Sequence, residues 1–403
     1  QMSGRRELRY VERRPVGRGE RATESVGSNM CCACFGILLF ISAFPLILYN
    51  ESRAVSTAAM LSEAREAVHF AVQDSVDRAN EGKLVHVTAD MKTSVMRDSA
   101  LGVEADTVVL DRNVEMFQWE EEEETSREKD PRTGEEFEEK RTYYKETWSS
   151  SHINSRHFKD SYNYDNPSYW PLEELSQKAQ PIVAGAYTFS PNLEDLVTAN
   201  ADLIVNNCKA PKGLDGYYSW SRDCSSRWCR CYPQGNMIYF SSRHSPQIGD
   251  IRVHYRYRRG KEVSILAKQK GNMLGTWTAS NGKTLLLLED EDVSADEMID
   301  SAVSSNNLMT WGLRFLGWFF MFVGLQCAVS PILNLVSMFP LIGGFLSGLL
   351  SIGTTVAIFL LSLSLTLITV AMGWLVARPL TSVLLLAIGI APIYLTRNQA
   401  SKS

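Results

Sequence analysis

The sequence predicts a multi-span α-helical membrane protein with four transmembrane helices and a large β-rich α+β lumenal domain between the first and second of them. The first observation is a lack of charge, because residues 30–50, 315–377 and 379–396 contain no Asp, Glu, Lys or Arg. A helix of about 20 apolar residues crosses the roughly 30 Å hydrocarbon core of a bilayer. The second observation is that the polar segment between the first two runs alternates apolar and polar side chains, as strands do.

The lengths of the uncharged runs set the spans. The run at 30–50 follows a 29-residue arm and is longer than the apolar core of most signal peptides, so we interpret it as an uncleaved anchor rather than a cleaved leader. The run at 315–377 is too long for one span and long enough for two, with a turn near Pro331 and Pro340. The predicted boundaries are an arm at 1–29, spans at 30–50, 311–336, 349–376 and 379–396, a lumenal domain at 51–310, a short cytosolic-side connection at 337–348 and a cytosolic tail at 397–403.

The distribution of charge predicts the orientation. Residues 1–29 carry seven Arg and four Glu, a net charge of +3, and Arg378, Arg397 and Lys402 contribute a further +3. Because the whole chain has a net charge of -5, the remaining residues carry -11. Lys and Arg near span ends favour the cytosolic side, so both termini are expected in the cytosol or nucleoplasm and the central domain in the lumen. Arg314, at the lumenal end of the second span, is expected to extend toward the membrane interface.

The central segment predicts a helix at each membrane-proximal end and strands between them. Apolar residues recur at helical spacing from 53 to 69. Strands are predicted at Lys83–Val87, Val108–Leu110, Val114–Trp119, Arg141–Trp148, Ile251–Tyr257, Val263–Lys268 and Thr284–Leu288. Asn281-Gly282 is the strongest hairpin signal in the chain, and Ser294 with Glu297 forms a capping box that begins a second helix.

The segment Glu120–Lys140 is strongly acidic. Calcium binding is one interpretation, but the segment lacks acidic residues at the alternating positions of an EF-hand loop. We therefore expect a solvated loop that connects the two strands of a hairpin. At about 260 residues, the central domain is long enough to bury a core of its own.

The eight cysteines fall into three groups. Cys31, Cys32 and Cys34 lie at the cytosolic edge of the first span, where reversible palmitoylation occurs, and a packing edge with free thiols is the alternative. Cys327 lies inside a span. The other four lie in the predicted lumenal domain and are candidates for two disulfides in an oxidising compartment: Cys208, Cys224, Cys229 and Cys231. Free thiols and a zinc site are the alternatives for these four, although Cys-x-Cys lacks the usual two-residue gap between zinc ligands.

No motif for catalysis or for cofactor binding emerges from the sequence. Gly282-Lys283-Thr284 resembles the end of a P-loop, but Trp277 occupies the position of the required first glycine and a strand follows. The six histidines show no metal-ligand spacing. We therefore predict a protein that is not an enzyme, with no catalytic residues, no cofactor, no metal and no nucleic-acid partner, and with membrane lipids around its spans.

Small and hydroxyl residues mark one face of the third span. Gly344, Gly348, Ser351 and Thr355 follow one another at helical spacing, and Ser364 lies further along. Small faces allow helices to approach closely, and Ser or Thr can hydrogen-bond across helices. Packing within the chain and self-association are both compatible with this pattern. A pore lined by Ser and Thr from several copies is the rival interpretation.

Several segments resemble the LUMA family of four-span nuclear-envelope proteins, over roughly residues 50 to 380. The segments that carry the resemblance are Asn50–Ala54, Asn80–His86, Val114–Trp119, Ile153–Ser155, Gly249–Val253, Thr284–Leu288, Thr310–Arg314 and Gly373–Leu380. The N-terminal arm and the lumenal cysteine cluster do not fit the family pattern. The resemblance implies the inner nuclear membrane and endoplasmic reticulum, self-association, emerin and lamins as partners, and no catalytic residues.

These observations lead to one hypothesis of function and one main rival, and a lumenal lipid-handling enzyme is a third class. The hypothesis is a non-enzymatic, oligomerising membrane scaffold that organises proteins of the nuclear envelope. The rival is an ion channel or a channel-regulating subunit built from the uncharged C-terminal spans. The lone glycosylation sequon, Asn50-Glu-Ser52, lies at the predicted membrane surface, where the glycosylation machinery does not reach it, so a retained internal membrane is favoured over the cell surface.

Overall fold

The computed structural model describes the backbone of residues 7–15, 18–129, 136–206, 230–241, 246–337, 343–375 and 381–390. The chain divides into two compact units. The β domain consists of Gln1–Val16, His69–Trp277 and Leu286–Ser294, and the helical unit consists of Gly17–Val68, Thr278–Leu285 and Ala295–Ser403.

Two large sheets form most of the β domain. The eight-stranded sheet has the order β1-β7-β6-β14-β13-β12, with β11 beside β14 and β8 beside β6. Its strands are β1 (Glu7–Pro15), β6 (Val109–Lys129), β7 (Glu136–Ser149), β8 (Leu175–Lys178), β11 (Ala201–Leu203), β12 (Arg230–Gln234), β13 (Met237–Ser241) and β14 (Ile251–Arg258).

The seven-stranded sheet has the order β2-β3-β15-β16-β10-β9, with β19 beside β15. Its strands are β2 (Val68–Phe70), β3 (Leu84–Asp90), β9 (Val183–Ala184), β10 (Tyr187–Phe189), β15 (Glu262–Lys270), β16 (Met273–Gly275) and β19 (Leu287–Asp290). The remaining strands form two small pairs, β4 (Ser94–Asp98) with β5 (Val103–Thr107) and β17 (Trp277–Thr278) with β18 (Thr284–Leu285). A short helix, α2 (Pro191–Leu196), follows β10.

One hydrophobic core contains buried residues of both sheets. Leu110 and Val253 come from the eight-stranded sheet, and Val87, Ile265 and Tyr187 come from the seven-stranded sheet. The alternation that predicted β14 is visible as alternating burial along that strand. The strand β15 is buried on both faces for most of its length, because it lies in the middle of its sheet and contributes side chains to the core. The predicted strands at Lys83–Val87, Ile251–Tyr257 and Val263–Lys268 are confirmed by β3, β14 and β15.

The acidic segment is strand at residues 120–129 and 136–140, so the expectation of a solvated loop over these residues was wrong. The strands β6 and β7 pair in register from Met116 opposite Ser149 to Lys129 opposite Glu136. Opposite charges face each other along this long hairpin: Lys145 lies 3.2 Å from Glu120, and Lys140 lies 2.6 Å from Glu123. Cross-strand pairs of opposite charge stabilise a ladder, which explains how so polar a segment remains ordered.

The N-terminal arm behaves differently from the sequence prediction as well. The strand β1 pairs antiparallel with β7, for example with Val11 opposite Arg141. A strand pair forms only within one compartment, so it excludes a bilayer crossing at 30–50 between the two strands. The pairing joins edge strands at about 0.2–1 kcal/mol for each facing pair, whereas insertion gains about 1.5–3 kcal/mol for each large apolar side chain removed from water. On these magnitudes insertion of the apolar run outweighs the strand pair, so a crossing at 30–50 that separates the arm from β7 stays a prediction.

The helical unit contains long helices that fuse elements expected to be separate. They are α1 (Arg18–Ala67), α3 (Ala295–Ser337), α4 (Gly343–Trp374) and the short apolar helix α5 (Thr381–Ile390). The helix expected at 53–69 is the continuation of the first span within α1. The helix that begins after Ser294 continues into the second span within α3.

Three of these helices are long and apolar enough to cross a membrane. The qualifying segments are Cys31–Ala67, Ala295–Pro331 and Gly353–Trp374. The fourth predicted span coincides with α5, of which ten residues fall in the described part of the chain. The membrane-protein class with a large β-rich domain is thus confirmed, and the count of four spans stays a prediction.

Candidate functional site

The helices α1 and α3 pack antiparallel, and glycines set how close they come. A Cβ added at Gly324 would lie 2.6 Å from the carbonyl oxygen of Gly36, and one added at Gly317 would lie 2.4 Å from Cγ1 of Ile47. Real Cβ atoms do not come this near to a neighbouring atom. A larger residue at Gly324 therefore requires the helices to shift, whereas one at Gly317 requires the Ile47 side chain to move. The two backbones therefore nearly touch along this contact.

An ion pair lies within the α1–α3 contact, between Glu51 and Arg314, the charged residues that border the uncharged runs of the first and second spans. Glu51 is fully buried. Its Oε1 accepts a hydrogen bond from Nε of Arg314 at 2.6 Å, and its Oε2 accepts one from Nη2 of Arg314 at 2.7 Å. This is the two-pronged geometry that makes an Arg–carboxylate pair strong and directional. Arg314 was expected to extend to the membrane interface, and it binds Glu51 instead.

The third long helix joins the same pair through its last residues. Nε1 of Trp374 donates to Oε2 of Glu51 at 2.5 Å. The guanidinium carbon of Arg314 lies 4.8 Å from the ring centroid of Trp311 and 5.1 Å from that of Trp374, within cation–π range. A Cβ at Gly373 would lie 2.8 Å from Cβ of Glu51, so α4 approaches α1 closely at this level. We call Glu51, Arg314, Trp311 and Trp374 the ionic clamp.

A layer of polar side chains extends the clamp along α1 and α3. Nδ2 of Asn50 donates to the carbonyl oxygen of Thr310 at 3.0 Å. The Arg53 guanidinium donates to Oδ1 of Asn306 at 3.0 Å and to Oγ1 of Thr310 at 3.0 Å. Asn50 is fully buried, which agrees with the expectation that its sequon is out of reach of the glycosylation machinery.

This arrangement of charges and rings is suited to holding the helices in fixed positions. The carboxylate accepts three hydrogen bonds, and the guanidinium is engaged at its edge by Glu51 and at its faces by two indoles. A charged pair in a low-dielectric setting is costly to separate, so the clamp fixes the register of three helices. The described residues contain no group of three or more His, Cys, Asp or Glu placed to hold a metal.

The sequence-predicted cysteines lie apart from the clamp. Cys31 and Cys34 are exposed on α1, whereas Cys32 and Cys327 are half-buried. Cys208, Cys224 and Cys229 lie outside the described residues. The remaining cysteine of that group, Cys231, is in β12 opposite Phe240.

The residues predicted for packing of the third span lie along α4, away from the clamp. Thr355 is exposed and Ser364 is buried. A Cβ at Gly389 of α5 would lie 3.2 Å from the carbonyl oxygen of Ser364. Gly344, Gly348 and Ser351 are within α4, but their side-chain surroundings fall outside the described residues.

The sequence analysis missed the clamp and the glycines that pack α1 on α3. A signal for them existed. Three of the segments that carry the LUMA resemblance, Asn50–Ala54, Thr310–Arg314 and Gly373–Leu380, supply Asn50, Glu51, Arg53, Thr310, Trp311, Arg314, Gly373 and Trp374. Glu51 and Arg314 are also the charged residues that border two uncharged runs, at the same membrane level.

A second buried charge pair stabilises the β domain. Nη1 of Arg112 lies 2.5 Å from Oδ2 of Asp98, and the side chains are 7% and 2% exposed. The guanidinium also donates to the carbonyl oxygen of Glu173, at 2.8 and 3.1 Å. The Tyr255 hydroxyl donates to the same Asp98 oxygen. Burial, with the hydrogen bond to Asp98, raises the pKa of Tyr255 well above its ordinary value.

The fold and the clamp define a class: a multi-span membrane protein whose long helices carry a large β-rich domain. A sequence profile of the transmembrane protein 43 family matches residues 116–379. Human transmembrane protein 43 is 33% identical over 398 residues, which cover 94% of this chain and 92% of the human protein. The mouse protein is 32% identical with the same coverage, and a Drosophila melanogaster homolog is 25% identical over 93% of this chain and 97% of its own length.

The chain belongs to the transmembrane protein 43 family, to which LUMA belongs, so the predicted resemblance is confirmed. No solved structure matches it.

Proposed function

We propose that this protein is a non-enzymatic membrane scaffold that self-associates through its spans and organises proteins of the inner nuclear membrane and endoplasmic reticulum. The observation that carries the proposal is the ionic clamp. It joins three long helices into one rigid element at the membrane boundary. A rigid helical element attached to a large folded domain provides fixed surfaces for other proteins.

Exposed apolar side chains on α1 support self-association. Phe35, Leu38 and Ile41 are about 60% exposed, at 59%, 66% and 59%. Each lies three residues from the next, so they form one outward stripe. Such a stripe faces lipid or a second copy, and the scaffold proposal assigns part of it to a second copy.

The hydroxyl groups of α4 argue against the rival channel. Oγ of Ser362 donates to the carbonyl oxygen of Phe359, Oγ1 of Thr366 to that of Ser362, and Oγ1 of Thr369 to that of Leu365. These hydroxyls are buried and bonded within their own helix. A pore lining needs polar groups directed at water, so the scaffold is the better-supported function.

Membrane lipids are the proposed occupants of an apolar groove in the helical unit. The groove has a volume of about 610 Å³. It is lined from three helices, by residues that include Phe315 and Trp318 of α3, Phe359 and Leu363 of α4, and Leu384 of α5. Acyl chains match such a lining in both polarity and shape.

The proposed topology places both termini in the cytosol or nucleoplasm and the β domain in the lumen. Its support is the net charge of the arm and tail and the insertion argument for α1. Sequons introduced separately into the arm and into the 130–135 connection between β6 and β7 test it in microsomes. Glycosylation of the connection alone is expected. Glycosylation of the arm would instead agree with the β1–β7 pair and overturn the topology.

The proposed protein partners follow from family membership. For the LUMA family these are emerin and the lamins, and the cytosolic or nucleoplasmic segments are the parts available to lamins in the proposed topology. Proximity labelling from the arm, compared with labelling from the β domain, tests this. The lamins are expected to be labelled when the labelling enzyme is fused to the arm and not when it is placed in the β domain. If neither fusion labels the lamins, they are removed from the proposal.

Native mass spectrometry in mild detergent tests the scaffold directly. A mass that is a multiple of the 45.2 kDa chain is expected. Gly348→Leu should lower that mass, whereas Gly353→Leu, on a different face of α4 with open space around it, should leave it unchanged. A monomer for the unmodified protein would contradict the proposal, and selective single-channel currents in a reconstituted bilayer would favour the rival.

A further inference from the structure

Two cysteines distant in sequence meet where α1 and α3 pack. Cys32 and Cys327 lie close enough for their thiols to interact. The backbone geometry independently places them together: Gly36 lies one helical turn after Cys32, and a Cβ added at Gly36 would lie 2.5 Å from Cβ of Cys327. Helices that approach this closely bring facing residues within the roughly 7 Å between Cα atoms that a disulfide tolerates.

The neighbouring cysteines provide a contrast within the same turn. An α-helix turns about 100° for each residue, so Cys31 and Cys34 share a face from which Cys32 is turned away. Cys31 and Cys34 are exposed, whereas Cys32 is half-buried. Only Cys32 of the three is directed at α3.

We propose that Cys32 and Cys327 form a reversible disulfide that covalently joins the first and second spans. With hydrogen peroxide as oxidant, one thiolate attacks a peroxide oxygen and becomes a sulfenic acid as hydroxide leaves. The second thiolate attacks the sulfenic sulfur, the S–S bond forms and a second hydroxide leaves. The two sulfurs together lose two electrons, and the two thiol protons end in two water molecules. A small thiol such as glutathione reverses the bond by thiol–disulfide exchange.

The disulfide complements the ionic clamp and divides the roles of the three clustered cysteines. The clamp joins α1 and α3 at one end of the apolar part of their contact, and the disulfide joins them near the other end of that apolar part. Because Cys32 is engaged with Cys327, the predicted palmitoylation is assigned to Cys31 and Cys34. Loss of acyl-exchange labelling in a Cys31→Ser/Cys34→Ser variant, and its retention in Cys32→Ser, is the expected companion result.

The test uses the full-length chain in membranes, with a specific protease site inserted in the 130–135 connection. Cleavage then leaves Cys31, Cys32 and Cys34 as the cysteines of the N-terminal fragment and the other five in the C-terminal fragment. After treatment with hydrogen peroxide or copper–phenanthroline and then protease, a denaturing gel without reductant reports whether the fragments are linked. A linked band that dithiothreitol removes is expected, with a Cys32–Cys327 peptide in its mass spectrum.

The variants decide the assignment. Cys31→Ser and Cys34→Ser should keep the linked band, whereas Cys32→Ser and Cys327→Ser should each reduce it to background. Size-exclusion profiles matching the unmodified protein establish that each variant is folded. A linked band that survives Cys32→Ser, or no linked band in the unmodified chain after either oxidant, would overturn the proposal.

Discussion

A buried Arg–carboxylate pair occurs in each unit, and the two pairs work in different surroundings. In the β domain, Asp98 and Arg112 lie beside a continuous apolar core drawn from two sheets. In the helical unit, Glu51 and Arg314 join helices whose other sides are largely apolar and exposed. Apolar contacts between membrane helices are scarcely better than contacts with lipid. The comparison teaches that the first pair adds to an already specific core, whereas the second acts with the close glycine contacts and the polar layer to set which helix faces meet.

The largest expected effect comes from breaking the pair in the β domain. Asp98→Asn leaves the Arg112 charge buried without its counter-ion, and such a loss costs about 3–5 kcal/mol. A fall of this size in the free energy of unfolding, measured by denaturant titration of the full chain, is expected. Asp106→Asn, at an exposed position on β5, is the matched control and should change little. A stability equal to that of the control would show that the hydrogen bonds from Arg112 to the carbonyl oxygen of Glu173 are enough to stabilise its buried charge.

An intermediate effect is expected where the helix backbones touch. Gly324→Ala places a methyl group against the carbonyl oxygen of Gly36, which cannot move independently of α1, and overpacking of this kind costs about 1–3 kcal/mol. Gly312→Ala on the same helix has open space around its Cβ. The control variant should be slightly more stable than the unmodified chain, because Ala favours the helix over Gly by about 1 kcal/mol. Thermal unfolding in detergent measures both, and equal melting temperatures would mean that α1 and α3 do not pack in this register.

The smallest effect is expected for the exposed ion pairs between the same helices. Arg65 contacts Asp300 and lies 3.7 Å from Asp296, but all three side chains are largely solvated. Solvent and salt screen such pairs. Arg65→Gln should therefore leave the melting temperature in detergent unchanged at 0.15 M salt. A clear destabilisation would mean that exposed charges, rather than the buried clamp, hold α1 to α3.

The contrast between the units also explains how far the sequence could predict the structure. Strand alternation at Ile251–Tyr257 and the capping box at Ser294 are local signals, and the strand and the helix they predicted are present. The uncharged runs are local signals as well, and three of the four spans they predicted coincide with helices long and apolar enough to cross a membrane. The extension of the hairpin through Glu120–Lys140 depends on which charges face one another across two strands. The sequence of either strand alone does not determine this register.

The same limit applies to the candidate site. Glu51 and Arg314 are adjacent only because α1 and α3 run antiparallel in one particular register. The spacing of Gly344 and Gly348 within one helix predicted close packing. The close contacts between α1 and α3 instead involve Gly36, Gly317 and Gly324, which lie on two helices that are distant in the sequence. A spacing rule within one helix does not identify the partner helix.

A double-mutant cycle on Glu51 and Arg314 tests most directly whether the clamp holds the spans together. Glu51→Gln, Arg314→Gln and the double variant are compared with the unmodified chain by unfolding in mild detergent. Each single change should be destabilising, and the double change much less than their sum, with a coupling energy of about 1–3 kcal/mol. The same cycle on Arg65 and Asp300 should give a coupling close to zero. Additive effects at Glu51 and Arg314 would contradict the account, because the pair would then contribute no specific attachment between α1 and α3.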